Sequence, residues 1–196
     1  QNETNNYIRY DVNSNTTDVR AYGDPYFCEE IVAEVENNFS VVTSHIEWIY
    51  SADGNSVNVP LNRDRLPVPE MYPFLKGESL ESYYDRYMES SANILLLIGP
   101  PGTGKTTFIR GLLAHTNSSA IVSYDSGILD KDGFFARFIE SDDNIMVLED
   151  SDAFLKSRSD GNTMMHRFLN VGDGLVTTKG KKMIFSTNLP SIRDID

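Results

Sequence analysis

The chain has 196 residues and a mass of 22.1 kDa, with 40% hydrophobic and 23% charged residues. A chain of that length buries roughly 70% of its unfolded surface, so a core forms without staples, and the composition excludes a disordered or fibrous protein. Lys and Arg total 17 against 29 Asp and Glu, a net charge of −12, which argues against broad electrostatic affinity for nucleic acid.

In chain order, residues 1–23 are polar and Asn-rich, with scattered Tyr7, Ile8, Tyr10 and Val12. They predict a loosely held arm, or at most one edge strand. After Pro25, the residues Phe27, Ile31 and Val35 recur every four positions and predict a short amphipathic helix. Ile46, Trp48 and Tyr50 then alternate, Asp53-Gly54-Asn55 supplies a turn, and Val57, Val59 and Leu61 alternate again, which predicts a hairpin. The prolines from Pro67 to Pro73 predict extended chain. Ser79 is placed to cap a helix over 79–89 with Leu80, Tyr83, Tyr84, Tyr87 and Met88 on its apolar stripe.

Residues 94–196 have a different pattern. Apolar runs at 94–98, 120–124, 145–148 and 183–186 show no polar alternation, as strands buried on both faces of a parallel sheet do. Helical segments at 105–114, 134–140 and 163–170 lie between them, so the fold class is α/β, a three-layer core with right-handed crossovers. The expected division is a small α+β region over 1–75 and the α/β core over 76–196. The single Cys28 forbids an intrachain disulfide. No signal peptide precedes the four Asn-x-Ser/Thr triplets at Asn2, Asn15, Asn38 and Asn117, so the expected setting is cytoplasmic and reducing. No apolar run approaches the ~20 residues of a membrane-spanning helix.

Three motifs carry chemistry. Gly99-Pro100-Pro101-Gly102-Thr103-Gly104-Lys105-Thr106 fits GxxxxGK[ST] directly after an apolar strand. Glycines let successive N–H groups turn inward onto phosphate, and the following helix adds its positive end. The residues Pro101, Gly102, Thr103, Gly104, Lys105, Thr106 and Thr107 are thus the expected ATP-binding set, with Lys105 reaching the β- and γ-phosphates and Thr106 facing Mg2+. The run Ile145–Leu148 ends in Glu149-Asp150, where one carboxylate would hold Mg2+ and the other polarise water; the residues alone leave the order of the two roles open. The last strand ends Ser186-Thr187-Asn188, placing the Asn188 amide to contact the γ-phosphate or the attacking water.

Together GPPGTGKTT, LEDSDAF and FSTNLPSIRDID resemble Walker A, Walker B and sensor 1 of the AAA+ ATPases, over residues 93–196. Within that superfamily the chain is most similar to the AAA clade and its Bcs-type group, which shares the Glu-Asp order. Phe168–Leu175 resembles the LLNxxDGV helix end of that group. The resemblance implies a P-loop NTPase core, ATP hydrolysis with Mg2+, and a homo-oligomeric ring of six or seven subunits that remodels or translocates a protein. It gives Glu149 the metal-side place, Asp150 the water-polarising place and Asn188 the sensor place, with Asp150 shorter than the usual Glu. In the family, arginine fingers, a fifth core strand and a helical lid follow the segment matched by Asp196, so the sheet is expected to be incomplete at the C-terminus. It also implies a sheet order with strand 94–98 beside 183–187, then 145–148, then 120–124 at the edge. The alternatives are a DNA-handling AAA+ protein of helicase or clamp-loader type, a nucleotide-binding structural module with weak hydrolysis, and a small-molecule kinase. Phe134 and Phe135 lie where the family carries a pore loop but are expected in the core. Arg158 is expected to be a solvated loop residue, and Lys179, Lys181 and Lys182 an exposed turn.

Overall fold

The structure is a computed structural model that describes residues 5–12, 17–39, 44–51, 53–153, 155, 168 and 180–190, and the chain divides into two units, 1–42 and 43–196. The first unit holds two antiparallel strands, β1 (Tyr7–Val12) and β2 (Thr17–Tyr22), followed by helix α1 (Pro25–Asn38). Two strands thus stand where the sequence predicts an arm or one edge strand. Their register explains it: Ile8 faces Ala21 and Tyr10 faces Val19 on one side, while the Tyr7 and Tyr22 rings stack at 4.8 Å on the other. Asp24 caps α1 by accepting from the Phe27 amide at 3.0 Å, with Pro25 at the first helical position.

The second unit is built on a six-stranded sheet. Its strands are β3 (His45–Ile49), β4 (Ser56–Pro60), β5 (Ile94–Ile98), β6 (Ala120–Val122), β7 (Ile145–Leu148) and β8 (Lys182–Thr187), in the spatial order β4-β3-β6-β7-β8-β5. All pairings are parallel except β3 with β4. The order β6-β7-β8-β5 is the one expected, but β6 is not the edge. The hairpin β3–β4, assigned by sequence to the N-terminal region, pairs with β6 and belongs to the core sheet. The boundary between units accordingly falls at residue 42 rather than 75. Arg137 helps fasten the hairpin, donating to the Glu47 carboxylate, to Ser56 Oγ at 2.8 Å and to the Gly54 carbonyl at 2.5 Å.

Side chains of alternate strand residues enter two different cores, which is why the runs lack polar alternation. Leu95, Leu97, Val122, Ile145, Val147 and Ile184 pack on α2 (Leu80–Glu89) and α3 (Lys105–Thr116). Ile121, Met146, Leu148, Met183 and Phe185 pack on the other side with α4 (Ser126–Leu129) and α5 (Asp132–Glu140). That is the three-layer α/β arrangement. Phe134 and Phe135 are buried, as expected for core residues. Ser79 caps α2 through the Ser82 amide at 3.1 Å. The proline segment is not fully extended, because Pro69 and Pro73 each start a single 3-10 turn, a position that needs no N–H. The expected helix over 163–170, apart from Phe168, lies outside the described residues, as do Arg158 and Lys179. Among the described residues no helix is long and apolar enough to cross a membrane.

Lys181 and Lys182 correct the expectation of an exposed basic turn. Lys181 Nζ donates to the carbonyls of Ser141 and Asp143, and Lys182 Nζ to those of Ser90 and Ala92, all at 2.7–2.8 Å. Both are buried, burial lowers the pKa of each, and each ammonium caps the ends of neighbouring segments.

Candidate nucleotide site

The carboxyl ends of β5, β7 and β8 meet at one rim, where open α/β sheets bind ligands. Between β5 and α3 the backbone curls through Gly102 (φ 80°) and Gly104 (φ 87°), left-handed values that a side chain strains to reach. Gly104 is also hemmed in: a Cβ there would stand 2.8 Å from Met71 Cε and 3.1 Å from the Tyr72 hydroxyl. Tyr72 donates to the Gly104 carbonyl at 3.0 Å, so the proline segment braces the loop from outside. Pro101, Gly102, Gly104, Lys105, Thr106 and Thr107 line a cleft of about 540 Å3, with Asp150 and Asn188 on its far wall. Thr103 does not face this cleft. Its hydroxyl donates to the Pro100 carbonyl at 2.9 Å, and the residue lines a neighbouring apolar cleft of about 520 Å3 with Tyr72, Phe74 and Leu97.

Two contact chains start from the loop residues that line the cleft. Thr106 Oγ1 donates to Glu149 Oε1, whose other oxygen accepts from the Tyr124 hydroxyl at 3.0 Å. Partial desolvation at the rim, with the Glu149 charge beside it, raises the pKa of the Tyr124 phenol although the residue is 61% exposed. Lys105 Nζ donates to Asn188 Oδ1 at 2.8 Å, and Asn188 Nδ2 donates to Asp150 Oδ1 at 3.1 Å. Lys105 also donates to the carbonyls of Gly99 (2.6 Å) and Pro100 (3.1 Å). Glu149 thus stands on the side of the Thr106 hydroxyl and Asp150 on the side of Asn188.

The turn after β7 makes this split. Asp150 takes a left-handed φ of 49°, its amide donates to Ser186 Oγ at 3.3 Å, and the two consecutive carboxylates diverge. Ser151 Oγ closes the turn onto the Leu148 carbonyl at 2.5 Å. Asp152, which sequence reasoning did not single out, accepts from Thr187 Oγ1 and from the Asn188 amide at 2.8 Å. Those donors, Thr187 first, hold its carboxyl below the usual carboxylate range. Tyr124 and the brace of Met71 and Tyr72 were also missed. Tyr124 carried a usable signal, since it follows β6 at the ligand-bearing end of the sheet.

The sequence model described as the ATPase family associated with various cellular activities (AAA) matches residues 95–196, just over half of the chain. The chain belongs to the AAA family. It is 33% identical over 118 residues to the 26S proteasome regulatory subunit 8 homolog of Schizosaccharomyces pombe, covering 51% of this chain and 29% of that protein. It is 27% identical over 148 residues to the ATP-dependent zinc metalloprotease FtsH of a Sulfurovum species, covering 65% of this chain and 21% of that protein. The chain therefore spans under a third of the length of these curated relatives. Among solved structures, the AAA domain of FIGL-1 in complex with ADP aligns at 18% identity and a TM-score of 0.46, over 68% of this chain and 50% of that chain.

Proposed function

We propose that this AAA chain binds ATP with Mg2+ and hydrolyses it, working as one subunit of a ring that remodels or translocates protein. The observation that carries the reading is the contact of Lys105 with Asn188 and of Asn188 with Asp150 across the cleft, with Thr106 and Glu149 paired beside them. The left-handed curl through Gly102 and Gly104, which a side chain strains to adopt, turns backbone N–H groups in the way that suits the phosphates of a nucleotide. The oxygen pair of Thr106 and Glu149 fits a hard cation held by one carboxylate, one hydroxyl and the nucleotide itself. Among the described residues no cluster of three His, Cys, Asp or Glu offers a self-sufficient metal cage, which suits Mg2+ shared with phosphate. When bound, Mg2+ would neutralise charge on the β- and γ-phosphates.

The protein's own groups then divide the work. Lys105 exchanges its carbonyl and Asn188 partners for phosphate oxygens. Asp150 takes the proton from the attacking water, and Asn188 holds that water or the γ-phosphate against it. The ring and the protein substrate are proposed from likeness to the relatives named above. The DNA-handling alternative is disfavoured by the net charge of −12 and by the burial of Lys181 and Lys182 against carbonyls. The Glu-Asp order keeps the Bcs-type likeness as the finer proposal within the family.

Hydrolysis assays and nucleotide titrations on the assembled full-length protein test this. Asp150→Asn should keep ATP binding and lower turnover by ~10²–10⁴-fold, as loss of a general base does. Glu149→Gln should weaken the Mg2+ dependence of nucleotide binding as well. If Asp150→Asn lost the Mg2+ dependence and Glu149→Gln kept it, the two roles would be reversed. If neither variant changed turnover in an assembly that hydrolyses ATP, this carboxylate pair would not be the catalytic one. If the wild-type assembly showed no hydrolysis, the chain would be the nucleotide-binding module of the alternative reading.

A further inference from the structure

Three acidic side chains fall within four residues after β7, and each makes a different set of contacts. Glu149 meets Thr106 and Tyr124, and Asp150 meets the Asn188 side chain. Asp152 instead reaches the backbone end of β8, where Oδ1 accepts both the Thr187 hydroxyl and the Asn188 amide. The turn does not require this contact for its own closure, since Ser151 Oγ bonds Leu148 and the Leu155 amide bonds the Ser151 carbonyl. Thr187 is fully buried, and its Oγ1 also accepts from the Leu189 amide at 3.1 Å. The backbone on both sides of Asn188 is therefore tied, by Asp152 directly and through Thr187.

What this fixes is the aim of one amide. Asn188 Oδ1 faces an ammonium and Nδ2 faces a carboxylate, and only one orientation of the group satisfies both, because Lys has no acceptor and an ionised Asp no donor. A side chain attached to a backbone free to rotate would leave that orientation when a ligand replaced either partner. We propose that Asp152 is a positioning residue for Asn188, coupling the acidic turn to the end of β8 so that the Asn188 amide keeps its aim between Lys105 and Asp150. This rests on the reading of Asn188 as the contact to the γ-phosphate or the attacking water.

The test compares steady-state ATP hydrolysis by Asn188→Ala, Asp152→Ala, Asp152→Asn and Thr187→Val in the full-length protein, with backbone hydrogen exchange at Asn188 measured without nucleotide. Asp152→Ala should lower kcat by about 10–100-fold while KM stays within about twofold, the pattern of a displaced catalytic contact. Asp152→Asn retains an oxygen that accepts both donors and should recover most of the rate. Combining Asp152→Ala with Asn188→Ala should be no slower than the worse single variant, because both act through one group. The Asn188 amide should exchange about tenfold faster or more in Asp152→Ala. Thr187→Val keeps the amide contact and removes the hydroxyl, and should lower kcat in the same direction by less; it carries the test if Asp152→Ala fails to fold. Wild-type kcat or unchanged exchange in Asp152→Ala, with Asn188→Ala slow, would overturn the inference and leave the Asn188 reading standing. Effects that multiply in the double variant would make Asp152 a structural staple and overturn it too. Wild-type kcat in Asn188→Ala would overturn both.

Discussion

Gly111, in the middle of α3, shows how a single position is governed by its neighbours. By intrinsic propensity, Gly→Ala in a helix interior gains up to ~1 kcal/mol. Here a Cβ would stand 2.3 Å from Pro67 Cγ and 2.6 Å from the Tyr84 hydroxyl. Pro67 is a rigid ring, and Tyr84 is anchored by donating to the Phe108 carbonyl at 3.1 Å, so neither yields easily. Overpacking of this kind costs about 1–3 kcal/mol, more than the propensity gain, and Gly111→Ala should be destabilising by up to about 2 kcal/mol net in urea unfolding. A more stable variant would show that the proline segment moves away freely. The curl of the glycine loop at 99–106 was legible in the sequence because that motif encodes backbone shape at fixed spacing, although Thr103 faces away from the cleft. Asp152 and Gly111 were not, since their partners lie 35 and 44 residues away in the chain.

Helix α2 illustrates what an element contributes beyond its apolar stripe. Its periodicity and cap were readable, but the stripe is made of tyrosines whose hydroxyls find specific acceptors. Tyr84 donates to Phe108 in α3, and Tyr87 donates to Met183 in β8 at 3.3 Å, tying the phosphate-loop helix and the Asn188 strand to one brace. Burial raises the pKa of both tyrosines above the ordinary value, and Tyr72 and Tyr83 are raised by the same cause. Below pH about 10 the phenols are protonated in both folded and unfolded chains, and their contribution is whole. Above it the unfolded chain ionises first, so stability falls as pH rises toward the folded values. Lys181 and Lys182 act oppositely: with pKa lowered by burial, they add stability as pH rises toward about 10.5, where the free side chain also loses its proton. The lysine gain ends near pH 10.5 while the loss from the four tyrosines continues, so denaturant midpoints should decline above about pH 10.5, and Tyr87→Phe should flatten the decline. A midpoint that rose throughout that range would show that the tyrosines are open to water in the folded state. The hairpin β3–β4 was readable as a hairpin, but its allegiance was not. Alternation specifies a strand with one solvated face and says nothing of which strand it pairs with, and the parallel pairing with β6 joins residues 74 apart, as Ile46 to Ala120.

At the scale of the whole molecule, the AAA core was legible because motif order, strand burial and crossover handedness all constrain one topology. The division of the chain was not, because composition changes near residue 75 while the contacts change near 42. The sheet brings the glycine loop of residues 99–106, an acidic turn from 149–152 and an amide at 188 to one rim, and the proposed nucleotide site rests on that convergence. Titration of ATP with Mg2+ into the wild-type protein and into Lys105→Ala tests it most directly. Lys105 makes charge-assisted contacts worth about 1.5–3 kcal/mol each, so the variant should keep the wild-type circular dichroism spectrum and lose ATP affinity by about 10–100-fold or more. An unchanged dissociation constant in a folded Lys105→Ala would contradict the phosphate cradle and, with it, the account of the site.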